Sequence, residues 1–323
     1  MSLLEIRDLS VEIGPPRPGK KERGIPILKH IDLSMERGEV LGLVGESGCG
    51  KTMTVLALMG LLPAGGRIAG GSINFMGRDL ASCSPKEMAG IRGKRISMIF
   101  QEPMTSLDPL MTIGEQIREI LARHEGLRGN REKCLRLLHA VNIPEPEKIY
   151  HCPPFRLSGG MRQRVMIAMA LSCEPELIIA DEPTTALDVT TQAQILDLFN
   201  EIRSRTCSSF IFVTHDLGVI AEIADRTAVV YSGYVVEECP VASLFDRPLH
   251  PYTDGLMRSR MRRRNSAGRL YSIPGVVPSP GDMLPGCPFA PRCEFAEERC
   301  RREVPPLAEI EAGHKVRCWR QTP

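Results

Sequence analysis

One short stretch, residues 40–52, limits the folds open to this chain more than any other. An apolar run, Val40 to Val44, passes directly into Gly45-Glu46-Ser47-Gly48-Cys49-Gly50-Lys51-Thr52, and a helix-length stretch, Thr52 to Leu62, follows. The pattern G-x4-G-K-T is that of a phosphate-binding loop, and it stands where such a loop must, after a strand and at the start of a helix. Its glycines let consecutive backbone N–H groups converge on phosphate oxygens at the helix N-terminus. Lys51 adds a point charge, and the Thr52 hydroxyl is a candidate ligand for Mg2+. Gly45, Glu46, Ser47, Gly48, Cys49, Gly50, Lys51 and Thr52 are therefore candidate nucleotide contacts. Cys49 has no other cysteine at metal-ligand spacing and reads as a small space-filler.

The strands that accompany this loop are legible. Short apolar runs bounded by turn residues recur at Ile96 to Phe100, Leu177 to Ala180, Phe210 to Val213 and Ala228 to Tyr231. Helix-length stretches lie between them, at Ile113 to His124 and at Met161 to Ser172, where Met161, Val165, Ala168 and Met169 recur at helical spacing. This alternation predicts an α/β fold, a largely parallel sheet covered by helices. Upstream, Leu9, Val11 and Ile13, then Ile31, Leu33 and Met35, alternate with polar residues, which predicts a small antiparallel layer with one wet face. Gly14 to Gly24, rich in Pro, Gly and Lys, reads as an exposed loop.

A phosphate loop alone implies only a nucleotide; hydrolysis also needs a carboxylate for Mg2+ and a base near the attacking water. Leu177-Ile178-Ile179-Ala180-Asp181-Glu182 supplies both at the end of an apolar strand, Asp181 for Mg2+ and Glu182 as general base. Leu157-Ser158-Gly159-Gly160-Met161 opens another helix and presents a hydroxyl and free N–H groups to an anion.

Taken in order, these elements resemble the ATP-binding cassette family: the loop Gly45 to Thr52, Gln101 after the strand Ile96 to Phe100, the signature Leu157 to Met161, the strand ending Asp181-Glu182, then Ala186-Leu187-Asp188 and His215. The resemblance implies a RecA-like P-loop core with an antiparallel β layer and a helical subdomain. It implies ATP as substrate with Mg2+ held by Thr52, Gln101 and Asp181, and catalysis by Glu182, His215 and Gln101. His215 is expected at the γ-phosphate, Gln101 at Mg2+ or the attacking water and toward a membrane partner, and Asp188 at a dimer seam. Ser158, Gly159 and Gly160 are expected to contact ATP in trans, on a second cassette. Two departures stand out: Met161 replaces the family's usual glutamine, and Ile13 stands where an aromatic commonly stacks on adenine.

Composition narrows the alternatives. With 41 Lys+Arg against 39 Asp+Glu, the net charge of +2 is too balanced for a polyanion partner, so no nucleic-acid ligand is expected. The apolar runs fall short of the ~20 residues that span a bilayer. No signal-peptide pattern opens the chain, so neither a membrane span nor export is expected. Eleven cysteines without an export signal point to reduced thiols or metal ligands rather than disulfides. At 323 residues the chain suggests two domains or one large one. The division expected is a nucleotide-binding domain over 1–245, its helical subdomain at about 102–172, and a small Pro- and Cys-rich C-terminal module over 246–323.

Within that module, Arg258, Arg260, Arg262, Arg263, Arg264 and Arg269 fall in a stretch without acids and read as a solvated linker or, less simply, as a contact for anionic lipid. Cys287, Cys293, Cys300 and Cys318 follow in a C-x5-C-x6-C-x17-C arrangement. Four thiolates suit zinc or an iron–sulfur cluster alike, and the spacings are not those of a common zinc ribbon. His250-Pro251-Tyr252-Thr253, Leu270 to Pro278 and Pro291-Arg292-Cys293 resemble the C-terminal extension of the dipeptide and oligopeptide importer ATPases. That resemblance implies a [4Fe–4S] cluster on the four cysteines, with Zn2+ as the alternative. It also implies an ATPase subunit on the cytoplasmic face of the inner membrane. Its expected partners are a second, related cassette chain, two transmembrane permease subunits and an external solute-binding protein. Nickel or another small solute is the alternative cargo, and a soluble cassette acting on nucleic acid the alternative class.

Overall fold

The computed structural model describes residues 2–14, 24–126, 130–185, 187–260, 271–282 and 285–321. Most of the Gly14 to Gly24 loop, Ala186, Arg262, Arg263, Arg264, Arg269 and Leu270 lie outside the described residues, as does the side chain of Arg260. In chain order the strands are β1 (Ser2–Ile13), β2 (Ile25–Glu36), β3 (Val40–Val44), β4 (Gly66–Phe75), β5 (Arg78–Asp79), β6 (Ile96–Ile99), β7 (Leu177–Asp181), β8 (Ser209–Thr214), β9 (Arg226–Tyr231), β10 (Tyr234–Pro240), β11 (Ala308–Glu311) and β12 (His314–Val316). The chain divides into two compact units, one of Met1–Ser82 with Val213–Pro323 and one of Cys83–Phe212. Residues 246–323 thus belong to the same unit as the phosphate loop.

In the first unit, β1 pairs antiparallel with β2 and β4 in the order β2-β1-β4-β5, which is the expected antiparallel layer. Its alternation is not simple: Leu4 and Ile6 are buried, then Leu9 and Val11. A bulge between Ile6 and Leu9, with Asp8 at a φ of 51°, shifts the register so that the apolar side chains stay on one face. A second set of strands runs β11-β12-β10-β9-β3. β3 and β9 are parallel, with Val44 opposite Val229. β10, β12 and β11 continue the set antiparallel.

β10 and the hairpin β11-β12 are not evident in the sequence, because Glu237 and Glu238 interrupt the apolar pattern. Both acids are buried nonetheless. Glu238 is paired with Arg226 of β9 at 2.5 Å. Glu237 accepts from His314 Nε2 of β12 at 2.7 Å and from the N–H groups of Leu249 at 2.7 Å and His250 at 3.0 Å. Burial works against its charge, but these hydrogen bonds prevail and hold its carboxyl below the usual range.

In the second unit the order is β8-β7-β6, with β6 and β7 parallel and Ile96 opposite Leu177. Helices here begin at side-chain caps. Thr112 and Glu115 form a capping box for Ile113–Glu125, Ser158 caps Gly159–Leu171, and Asp188 caps Val189–Arg205. The strand expected to reach Phe100 ends at Ile99, leaving Phe100 42% exposed, and the helix from the phosphate loop, expected to reach Leu62, ends at Leu58, before Gly60 turns with a φ of 58°. No helix among the described residues is long and apolar enough to cross a membrane.

Candidate functional site

The phosphate loop leaves β3 hard against β9. A Cβ on Gly45, whose φ is 156°, would lie 2.3 Å from the Val230 carbonyl oxygen and 2.8 Å from Cys49 Sγ, so only glycine fits. Gly50 is the N-cap of the helix Lys51–Leu58 and brings no side-chain cap, which leaves the first-turn N–H groups to an anion. Lys51 is 5% exposed, and its Nζ donates to the carbonyls of Gly45 at 2.8 Å and Glu46 at 3.0 Å. Cys49 is fully buried, and burial pushes its thiol up against the opposing charge of Lys51, in keeping with a neutral filler. Ser47, Gly48 and Thr52 complete the loop, with Thr52 exposed at the helix start. His215 is exposed just beyond β8, ahead of the helix Leu217–Ile223 that Asp216 caps.

Two residues that pattern alone did not single out support this loop. Tyr252 Oη accepts from the Glu46 N–H at 2.8 Å. Arg292 reaches the Glu46 carboxylate with both terminal nitrogens, at 2.7 and 3.1 Å. Both belong to segments quoted above for their resemblance, but no spacing rule ties them to residue 46.

The second unit carries Gln101, Ser158, Gly159, Gly160, Asp181, Glu182 and Asp188. Asp181 is 3% exposed at the end of β7. Glu182 follows with a φ of 48°, a left-handed conformation that a non-glycine residue adopts only at a cost and that is concentrated at functional sites. Its Oε2 accepts from Gln101 Nε2 at 3.2 Å and from Thr185 Oγ1 at 2.8 Å, so the expected base is aimed by two donors. Ser158 Oγ accepts from the Met161 N–H at 3.3 Å. A Cβ on Gly160 would meet Thr191 Cγ2 at 2.7 Å. Thr191 in turn donates to Asp188, from its N–H at 2.9 Å and its hydroxyl at 2.8 Å, and these bonds hold the Asp188 carboxyl below its ordinary pKa. The signature turn and Asp188 are therefore joined through Thr191.

Cys287, Cys293, Cys300 and Cys318 line one cavity, walled by Phe289, Ala290, Pro305 and Trp319. The Cys287 N–H donates to the Cys300 carbonyl at 2.8 Å. Burial pushes the Cys287 thiol up to about 12 and raises those of Cys293 and Cys318, so thiolates in this cavity need a compensating cation. Four converging soft donors fit a thiophilic metal or cluster. A second set of donors, Glu237, Cys239 and His314, lies within 4.8 Å of one another. There the carboxylate already accepts three hydrogen bonds from within the protein, so it is engaged in a buried polar network.

A phosphate loop, a buried strand ending in Asp181-Glu182 and a capped signature turn are the motifs of a P-loop ATPase of the cassette class. Comparison with known proteins agrees. Residues 28–185 match the ABC transporter family, and residues 236–300 match the oligopeptide/dipeptide transporter C-terminal region. The chain is 48% identical to a probable peptide ABC transporter ATP-binding protein of Sinorhizobium fredii, covering 98% of this chain and 95% of that one. It is 47% identical to an oligopeptide transport ATP-binding protein of Bacillus subtilis, covering 98% and 96%. It is 45% identical to a dipeptide transport ATP-binding protein of Haemophilus influenzae, covering 98% and 95%. Among solved structures, the ATP-binding cassette MJ0796 in a dimeric, post-hydrolysis state with ADP and Pi is similar at a TM-score of 0.64 and 26% identity, covering 74% of this chain and 98% of that one. The chain belongs to the ABC transporter family, among the ATP-binding proteins of peptide transport, and it is an ATPase.

Proposed function

We propose that this chain is the subunit that powers import of dipeptides or oligopeptides, working at the cytoplasmic face of a membrane. Its partners on this reading are a second cassette, two permease subunits and an external binding protein. The observation that carries it is that likeness to peptide-transport ATP-binding proteins runs through both the phosphate loop and the C-terminal region.

Lys51 neutralises the β- and γ-phosphates, and Thr52, Gln101 and Asp181 hold Mg2+. Glu182 accepts a proton from the attacking water, which Gln101 and Thr185 favour by fixing its carboxylate. His215 steadies the γ-phosphate. Ser158, Gly159 and Gly160 serve the ATP of the second cassette, with Asp188 at the seam. ATP held between two cassettes favours the closed pair only by its differential affinity for it, and hydrolysis reopens it.

Cys287, Cys293, Cys300 and Cys318 hold a [4Fe–4S] cluster on this reading. Four thiols lining one cavity offer the soft donors that this cluster, or Zn2+ in its place, requires. Such a cluster would supply a rigid crosslink of the C-terminal loops and, if reducible, one electron.

The test is uptake of labelled dipeptide, a longer peptide and nickel by cells with and without the chain. Loss of peptide uptake that the natural chain restores and the Lys51→Ala variant does not is expected. Loss of nickel uptake alone would overturn the peptide assignment.

A further inference from the structure

The phosphate loop is tied to the cysteine centre through one side chain. Arg292 stands immediately before Cys293 and ends a short helical turn, Ala290–Arg292. That turn is built from the cysteine side: the N–H of Ala290 donates to the Cys287 carbonyl at 3.0 Å, and the N–H of Cys293 donates to the Ala290 carbonyl at 3.4 Å. Fixing the sulfurs of Cys287 and Cys293 on one centre therefore fixes the turn that carries Arg292.

From there the guanidinium is fully committed. Nε donates to the Pro274 carbonyl at 2.8 Å, and the two terminal nitrogens grip the Glu46 carboxylate at 2.7 and 3.1 Å. The group also lies over the rings of Tyr231 and Phe289, at 5.7 and 6.0 Å. Its side chain is 4% exposed, against 31% for that of Glu46, so the pair is anchored on the C-terminal side and reaches out to the loop. The Glu46 backbone is held as well. Its N–H is held by Tyr252 Oη at 2.8 Å, and its carbonyl accepts from Lys51 Nζ at 3.0 Å. A planar, two-pronged Arg–carboxylate pair fixes orientation as well as distance, which lysine in the same place does not.

We propose that Arg292 is a positioning residue for the nucleotide: it holds Glu46, and with it the phosphate loop, in register with the four-cysteine centre, so that loading of that centre raises the affinity for MgATP. The loading half rests on the metal reading of the cysteines given above.

The experiment measures MgATP affinity, ATPase activity, and iron, sulfide and zinc content on the same anaerobic preparations of the full chain. The natural protein, Arg292→Gln, Arg292→Lys and Glu46→Gln are each studied as purified and after stripping with chelator and oxidant. Arg292→Gln, Arg292→Lys and Glu46→Gln are each expected to raise the Kd for MgATP roughly tenfold, as loss of a charged, two-pronged hydrogen bond should, with metal content unchanged. The KM for ATP should rise with it while kcat at saturating ATP holds. Stripping is expected to raise the Kd of the natural protein by a similar factor and to leave Arg292→Gln where it already stands. Glu46→Gln lies outside the cysteine loops and so tests the clamp even where an Arg292 variant folds poorly. An unchanged Kd in both Arg292→Gln and Glu46→Gln at full metal content overturns the clamp and leaves the metal reading intact. Glu46→Gln binding as tightly as the natural protein while Arg292→Gln binds weakly shows simple charge neutralisation instead of positioning. An equal further loss on stripping in every variant overturns the coupling. Absence of iron, sulfide and zinc from the natural protein overturns the metal reading itself, and with it the loading half of the proposal.

Discussion

Lys51 spans the phosphate loop from within, its ammonium bonded to two of the loop's carbonyls. Lys51→Ala is expected to weaken MgATP binding by about 1.5–3 kcal/mol, the range for a hydrogen bond to a charged group. Equilibrium titration with MgATP reads this directly, and unchanged affinity would remove Lys51 from the phosphates. Glu182 makes the opposite kind of contribution. Gln101 and Thr185 donate to its carboxylate, and its backbone has a φ of 48°. Glu182→Gln keeps the shape and removes the base, so binding should persist while turnover falls by ~10²–10⁴. Retained hydrolysis in a phosphate-release assay would place the base elsewhere. Both residues were legible as candidates in the sequence because their motifs fix position to the residue. The donors that aim Glu182, and the Tyr252 and Arg292 contacts on Glu46, were not. They join residues far apart in the chain through side-chain geometry that no local spacing encodes.

At the scale of elements, the candidate residues cluster at helix starts. Ser158 and Asp188 are both N-caps, and Thr191 in the first turn after Asp188 packs on Gly160 of the signature. Gly160→Ala forces its new methyl toward Thr191 Cγ2, a small overpacking that costs about 1–3 kcal/mol. It should also turn Thr191 away from Asp188. Adding Thr191→Ser removes that methyl and keeps the hydroxyl, so the double variant should regain stability and ATPase activity. If it regains neither in denaturation and turnover assays, the contact is not what excludes alanine. The strand framework was largely readable from apolar runs, since β3, β6, β7, β8 and β9 are buried on both faces. β10 was not, because its paired acids mimic an exposed strand, and partners outside it, among them Arg226, His314 and the N–H groups of Leu249 and His250, make burial tolerable. Glu237 makes this testable by pH. Its folded pKa lies below the ordinary 4.5, so its contribution is present above that value and is lost as pH falls through the folded one. Glu237→Gln should therefore cost about 1.5–3 kcal/mol at pH 7, as for hydrogen bonds to a charged group. The gap from the natural protein should narrow in acid. A gap independent of pH in urea unfolding would show that the carboxylate charge is not what stabilises β10.

For the whole molecule, the candidate residues are divided: the phosphate loop and His215 lie in one unit, and Gln101, Asp181, Glu182 and the signature turn in the other. On the proposed reading the chain's own signature serves a neighbour. That reading has a consequence for assembly. If Ser158 and Gly160 contact ATP bound to a second cassette, blocking hydrolysis should trap the pair. Glu182→Gln with MgATP is expected to sediment as a dimer, alone or mixed with a related cassette chain, and with MgADP as a monomer. Ser158→Asp in that background supplies the contrast. Aspartate still caps the helix by accepting from the Met161 N–H, so the fold is retained. Its charge, however, would face the partner's phosphates, so the dimer should be lost while each chain's own ATP binding holds. A ligand shifts an association only by the difference in its affinity for the two states. Loss of own-site binding together with the dimer would therefore mean that Ser158 faces the chain's own nucleotide. Dimers that survive Ser158→Asp would mean that the signature turn lies away from the seam.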